Sequence, residues 1–364
     1  MGVPVRRQLQ IWGVLGALLV LTLWYLGNVI LPFVLGAAVA YFLDPVADRL
    51  QAMGLGRVTA TIVITVVAVL IFVVAALSVI PLLVDQTRAL IASAPQLFDE
   101  AIRLLNEYLP SLADSESTVR QSLRSLGASI QSRGGEFVNA VLGSAASVFN
   151  LLLLVVVVPV VAFYMLLDWD RMIARIDALL PREHAPTIRK ISKDIDATVA
   201  SFVRGMGTVC LVMGTFYAIA LMLVGLQFGL VVGAIAGLVT FIPYIGAILG
   251  GVLAIGLGLF QFWGDWVSLG LVAAIFVAGQ MIEGNVLTPK LVGKSVGLHP
   301  VWLIFALSVF GALFGFVGML VAVPVAAAIG VVIRHGTGAY LDSALYRGPK
   351  TAQGTDHDRP TPHG

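Results

Sequence analysis

The residues best placed to do chemistry gather around a single acid. Glu283 stands late in a long apolar run, with Gln280 and Asn285 on either side. An ionised carboxylate at membrane depth costs roughly 2.5–3.5 kcal/mol on insertion scales, so it faces a cavity, finds a partner or carries a proton. Each of these suits a group on a substrate or ion path. The alternative is that Glu283 lies at the membrane interface and pairs with Lys290 or Lys294. A second candidate is the stretch Phe241-Ile242-Pro243-Tyr244-Ile245-Gly246. Pro243 removes a backbone donor and frees carbonyls on the preceding turn. Broken helices at membrane depth occur where the backbone lines a cavity or is buried in protein, and in transporters they often form the site. Pro243 and Tyr244 are therefore candidates to line the path; otherwise they form a plain tight turn.

The elements that hold these residues must be membrane helices. Of 364 residues 59% are hydrophobic and only 12% charged, against about 25% charged in a soluble domain. Between Gly205 and Ile333 the only charges are Asp265, Glu283, Lys290 and Lys294. A bilayer core takes roughly 20 apolar residues of helix, and lipid offers the backbone no partners, so spans are helices or closed barrels. The apolar runs are continuous rather than alternating, which selects helices. They fall at 11–27, 29–43, 58–84, 147–167, 205–225, 228–262, 266–287 and 300–333. The predicted fold is an all-α integral membrane protein with about eight spanning regions. Two of these, 228–262 and 300–333, are too long for one span. They break or re-enter, the first at Pro243 and the second near Gly311, Gly315 and Gly318.

Charge sets the orientation, because Lys and Arg concentrate in cytoplasmic loops. Arg6 and Arg7 place the N-terminus inside, ahead of an uncleaved first span. The segment 168–204, with seven Lys and Arg, also falls inside, and 85–146, with five Arg and seven acids, falls outside. Lys290, Lys294 and Arg334 come out inside only if both long regions turn back within the membrane. Length and charge thus agree on the two breaks. Apolar residues recur at helical spacing in 85–146 and in 168–204, marking amphipathic helices. The reading is one transmembrane domain, 1–347, with an extracytoplasmic arm at 85–146, a cytoplasmic segment at 168–204 and a polar, disordered tail at 348–364. Asp44-Pro45 reads as the end of a span, with Asp44 capping the next segment.

Gly225, Gly229, Gly233 and Gly237 recur every fourth residue, and Gly246 with Gly250 and Gly311 with Gly315 repeat the pattern. This spacing puts glycines on one helix face and lets backbones approach closely.

Several functions find no support. Net charge is +2, which gives no bulk basic signal for nucleic acid. Cys210 is the single cysteine, so no internal disulfide or Cys-based metal site is expected. Gly293-Lys294-Ser295 resembles the end of a P-loop, but the required earlier glycine is Thr288, so no ATP is expected. The G-x-S-x-G match at 293–297 has no strand before it. His299, next to Pro300 at a helix start, reads as structural. No nucleophile–base pair points to an enzyme, and no cofactor is expected.

The motifs at 241–246, Gln280-Met281-Ile282-Glu283-Gly284-Asn285-Val286-Leu287-Thr288-Pro289-Lys290-Leu291-Val292-Gly293, Val296-Gly297-Leu298-His299-Pro300, Gly311 to Gly315 and Ala322-Val323-Pro324 resemble the autoinducer-2 exporter-like family of bacterial membrane transporters. Ala40-Tyr41-Phe42-Leu43-Asp44-Pro45 resembles that family's second span, and the likeness covers about residues 10 to 340. It implies a helical fold of about eight spans, self-association into a homo-oligomer and a bacterial inner membrane. It also implies export of an autoinducer-2-like molecule or sodium/proton exchange. The expected function is a transporter or permease for a small solute or ion, embedded in the lipid bilayer. A passive oligomeric pore, which would not need Glu283 to titrate, is the alternative.

Overall fold

The computed structural model describes residues 27–108, 145–292 and 299–347, with isolated helical positions at 13, 14, 18, 22 and between 122 and 136. The expected first span, most of the extracytoplasmic arm beyond Tyr108 and the polar tail lie outside the described residues. Among the described residues there is no strand. The helices are α1 (Gly27–Ala52), α2 (Arg57–Tyr108), α3 (Ala145–Ala178), α4 (Ala185–Leu223), α5 (Gly229–Val239), α6 (Ile245–Gln261), α7 (Trp266–Ile282), α8 (Pro300–Asp342) and the short α9 (Ala344–Arg347). A π-helical segment, Glu283–Val292, follows α7 directly. Five stretches are long and apolar enough to cross a membrane: Val29–Ala52, Arg57–Ser93, Ala185–Leu223, Trp266–Val292 and Pro300–Asp342. The apolar run at 147–167 lies within α3. Leu70 and Leu77 on α2 are 61% and 74% exposed, as lipid-facing leucines are. The protein is an all-α integral membrane protein.

Two helices continue well past the membrane. At 1.5 Å per residue, α2 with 52 residues is about 78 Å long and α4 with 39 about 58 Å, against a hydrocarbon core of about 30 Å. No loop separates the span at 58–84 from the amphipathic stretch ending at Tyr108, nor the segment 185–204 from the span at 205–223. Each amphipathic stretch is the same helix prolonged out of the bilayer. Asp44-Pro45 is likewise no turn and no helix cap, because α1 runs through it to Ala52.

The described residues divide into two compact units, Met1–Asp170 with Val203–Gly293, and Arg171–Phe202 with Lys294–Gly364. In the first unit, Val209, Met213, Tyr217 and Leu221 sit at four-residue spacing on α4. They pack with Leu226, Val232, Ala236, Ala254, Val272 and Phe276. The region 228–262 breaks as expected. α5 has 11 residues and α6 has 17, about 16 and 25 Å. The two return as an antiparallel pair, because Gln261 at the end of α6 ties back to the start of α5. Its side chain donates to Gly225 O at 2.7 Å and accepts from Gln227 N at 2.8 Å. A helix of about 16 Å reaches only about halfway through the core, so the turn at 240–244 is re-entrant.

Close backbone approach explains most of the glycines. A Cβ at Gly233 would collide with the Ala218 backbone, and one at Gly237 with the Gly214 backbone. One at Gly229 would lie 2.9 Å from the Leu221 and Met222 backbone, and one at Gly250 2.9 Å from Ala236 Cβ. Gly246 passes against Thr240 across the turn. Gly225 is different: a Cβ there would meet nothing within 4 Å, and its φ of 85° is what demands glycine. Its role is to turn the chain from α4 into α5 rather than to pack.

In the second unit α8 is a hairpin rather than one span. Gly315 takes φ 59° and ψ −138°, outside the helix, and a Cβ there would meet nothing within 4 Å. It too reverses the chain rather than packing. Phe310 and Gly318, eight residues apart, meet backbone to backbone, and a Cβ on Gly311 would lie 3.1 Å from Met319 Cγ. The arms, 300–314 and 316–342, are about 22 and 40 Å long. His299 caps the first arm by accepting from Val301 N at 3.3 Å. Arg189 donates to both Asp177 carboxylate oxygens, at 2.6 and 2.8 Å, and closes the turn between α3 and α4. That hydrogen bond holds the Asp177 carboxyl below the usual carboxylate range.

Replacing Gly237 by leucine is expected to cost about 1–3 kcal/mol through forced separation of α4 and α5, or to prevent folding outright. Gly256→Leu, where a Cβ meets nothing within 4 Å, serves as the control. Thermal melting in detergent followed by size-exclusion chromatography tells the two apart.

Candidate functional site

The site is assembled on two helices of the first unit. Phe276, Gly279, Gln280 and Glu283 occupy positions i, i+3, i+4 and i+7 and so share one face of α7 and its extension. Opposite them on α4 lie Cys210 and Tyr217, also seven residues apart. The pairings run antiparallel. Tyr217 meets Phe276 and Gly279, Cys210 lies close enough to Glu283 to feel its charge, and Gly205 packs against the Leu291 carbonyl.

Tyr217 is 1% exposed and stacks on Phe276 with ring centroids 5.4 Å apart at 19°. A Cβ at position 279 would collide with the Tyr217 ring, so Gly279 makes room for the phenol. The Tyr217 hydroxyl donates to the Phe276 carbonyl at 3.4 Å and accepts from Gln280 Nε2 at 3.2 Å. Gln280 Nε2 also donates to Glu283 Oε2 at 3.1 Å. Glu283 is half-buried, and no cationic side chain among the described residues pairs with it. Directly beyond it the chain winds as a ten-residue π-helix containing Pro289. Such i→i+5 turns are rare and recur at functional sites.

The structure thus brings Gln280 and Glu283 into contact. Asn285 turns away, exposed, and donates to the Met281 carbonyl of its own helix at 3.0 Å. Pro243 and Tyr244 form the re-entrant turn without a hydrogen bond to Glu283. Tyr244 is half-exposed and is the only non-glycine with positive φ, 68°, among the described residues, a strained conformation of the kind found at functional sites. Cys210 links the two places, because its thiol lies within hydrogen-bonding reach of the Phe241 backbone. Tyr217 was not singled out from the sequence, and Cys210 was read only as a lone cysteine without a disulfide or metal role. The legible signal was a lone tyrosine and a lone cysteine seven residues apart inside an aliphatic span. Among the described residues no cluster of His, Cys, Asp and Glu could hold a metal ion.

An ion-pair node braces the same unit. Asp44 binds Arg57 through Oδ1 and Arg204 through Oδ2, both at 3.1 Å. Arg57 also reaches Asp48, Gln51 and the Leu166 carbonyl, at 3.0, 2.8 and 2.8 Å. Arg204 Nε donates to the Tyr41 carbonyl at 2.7 Å. Residue 45, the usual helical partner of that carbonyl, is proline and has no N–H to offer it. Asp44 therefore ties α1 to α2 and α4 rather than capping a helix.

A multi-pass helical fold, a re-entrant turn and a lone acid on a span define a membrane transport protein. Residues 14–338 match the family described as AI-2E family transporter, and the chain belongs to that family. It is 28% identical to the provisionally named transport protein YrrI of Bacillus subtilis, over 85% of this chain and 86% of YrrI. It is 29% identical to the provisionally named permease PerM of Escherichia coli, over 86% of this chain and 88% of PerM. The transport protein YueF of Bacillus subtilis, also provisionally named, is 32% identical over 62% of this chain and 58% of YueF.

Arg204→Met is expected to remove two hydrogen bonds, to the Tyr41 carbonyl and to Asp44, and to lower stability by about 1–2 kcal/mol. Arg204→Lys, which cannot reach both partners as a fork does, recovers less than half. Melting curves in detergent report both.

Proposed function

We propose that this protein is a secondary transporter in which Glu283, presented by Gln280, binds the driving cation, a proton or sodium. The cargo is a small solute of the autoinducer-2 kind, or the exchange is sodium against protons. The carrying observation is the half-buried Glu283 carboxylate, fixed by an amide donor and lacking a cationic partner among the described residues. Among the described residues no side chain neutralises it, which leaves the carboxylate open to a small cation. The re-entrant turn at Pro243 and Tyr244 lies near, reached through Cys210, and forms the neighbouring wall of the path.

The membrane is a bacterial inner membrane, with both termini in the cytoplasm, and the protein works as a homo-oligomer. One contact supports the orientation. His335 Nε2 lies 3.3 Å from Asp194 Oδ2, so the start of α4 and the end of α8 share one membrane face. That is the result expected if both long regions turn back within the bilayer, and the basic residues around Asp194 favour the cytoplasmic face.

Proteoliposomes with an imposed sodium or proton gradient test the reading. Flux is expected to follow the gradient, and Glu283→Gln is expected to reduce gradient-driven flux at least tenfold at matched protein level. Flux that ignores the gradient in the unmodified protein would identify a passive pore. Unchanged coupling in the Gln variant would remove Glu283 from the path.

A further inference from the structure

We infer that Tyr217 is a positioning residue for Glu283, acting through Gln280; the inference rests on the reading of Glu283 as the cation-binding group. A glutamine amide nitrogen carries two hydrogens in one plane. Here one goes to the Tyr217 oxygen at 3.2 Å and the other to Glu283 Oε2 at 3.1 Å. With both committed, the amide plane is fixed, and with it the side of the carboxylate that stays open. The Tyr217 oxygen can serve as that anchor because its own proton is spent on the Phe276 carbonyl at 3.4 Å, which leaves a lone pair toward Gln280.

The phenol cannot drift. It is 1% exposed, stacked on Phe276 and seated where Gly279 has no side chain. A purely structural core position would be filled as well by phenylalanine, without placing a polar group in an apolar cluster at a desolvation cost. The hydroxyl instead meets Gln280, whose amide also donates to Glu283. Among the described residues, the groups facing Glu283 are Gln280 on its own helix and Cys210 and Tyr217 on α4. None is cationic, so alignment by hydrogen bonding is what presents the carboxylate to a small cation. A first shell held by a second shell in this way binds more tightly because less ordering remains to be done on binding.

Tyr217→Phe keeps the ring and its stacking and removes only the oxygen. In proteoliposomes the half-saturating concentration of the driving cation, sodium or proton, is expected to rise roughly three- to tenfold, as when a hydrogen bond to a charged group loses its alignment. It should rise more than the maximal rate falls. Gln280→Leu should give the same change, and the double variant no more than Gln280→Leu alone, because both act on one chain of contacts. The second readout is the infrared carboxyl band that Glu283→Gln abolishes. It should broaden and move in Tyr217→Phe as the N–H donor becomes free to rotate. An unaltered band, or effects of Tyr217→Phe and Gln280→Leu that add in full, would overturn the positioning role. A displaced band together with unimpaired flux in Glu283→Gln would uphold the positioning of Glu283 and overturn the transport reading instead.

Discussion

One carboxylate holds the frame on which the rest of the first unit depends. Asp44 accepts from two arginines that arrive from different helices, and each arginine carries a second bond to a backbone carbonyl. Pro45, four residues after Tyr41, offers the Tyr41 carbonyl no N–H, and Arg204 donates to it. The proline therefore costs α1 a backbone bond and creates a dock for α4 at the same point. Through Arg57 and the Leu166 carbonyl the same node reaches α3. Four helices are pinned at one level, near the end of the membrane-spanning part of α4. Charge is tolerated there because every donor of consequence has an acceptor.

From that fixed level α4 becomes the spine of the site. One turn beyond Arg204, Gly205 and Gly207 let the π-helical segment and α1 come close, through Leu291 and Phe42. Further on, Gly214 and Ala218 receive Gly237 and Gly233 of α5. Between these two glycine contacts α4 offers Cys210 and Tyr217. Close packing on both sides brings a polar stripe of α7 within hydrogen-bonding distance of a phenol in an otherwise aliphatic core. The helices approach closely because their side chains are small, and the polar groups that remain are satisfied by one another.

Length decides where the chain may break. A helix of 11 residues cannot cross a hydrocarbon core, and a return helix must come next before the chain can continue. The α5–α6 pair meets this demand by bonding within each short helix and across the Gln261 tie, leaving a re-entrant turn inside the membrane. The α8 hairpin meets it with one glycine outside the helical region. Both devices put irregular backbone at depth, where ion and substrate sites are built.

Much of this was legible in the chain itself. Apolar run length gave the membrane class, and excess length located both breaks, one at Pro243 and one among Gly311, Gly315 and Gly318, because each of these is a local property. The resemblance of the 280–293 motif pointed to the family that the whole-chain match then established. Pairings between distant residues were not legible. Asp44 reads as a cap beside Pro45, yet it bonds Arg57 and Arg204, because packing delivers both guanidinium groups to it. Gly225 reads as one rung of a packing ladder, yet only a backbone path shows that its φ, and not its small size, is needed. The amphipathic stretches read as separate elements, whereas nothing breaks the helical bonding between them and the spans. Above all, Gln280 and Glu283 are neighbours by helical spacing, but the phenol that orients them comes from 63 residues away. Only the antiparallel packing of α4 on α7 brings it there.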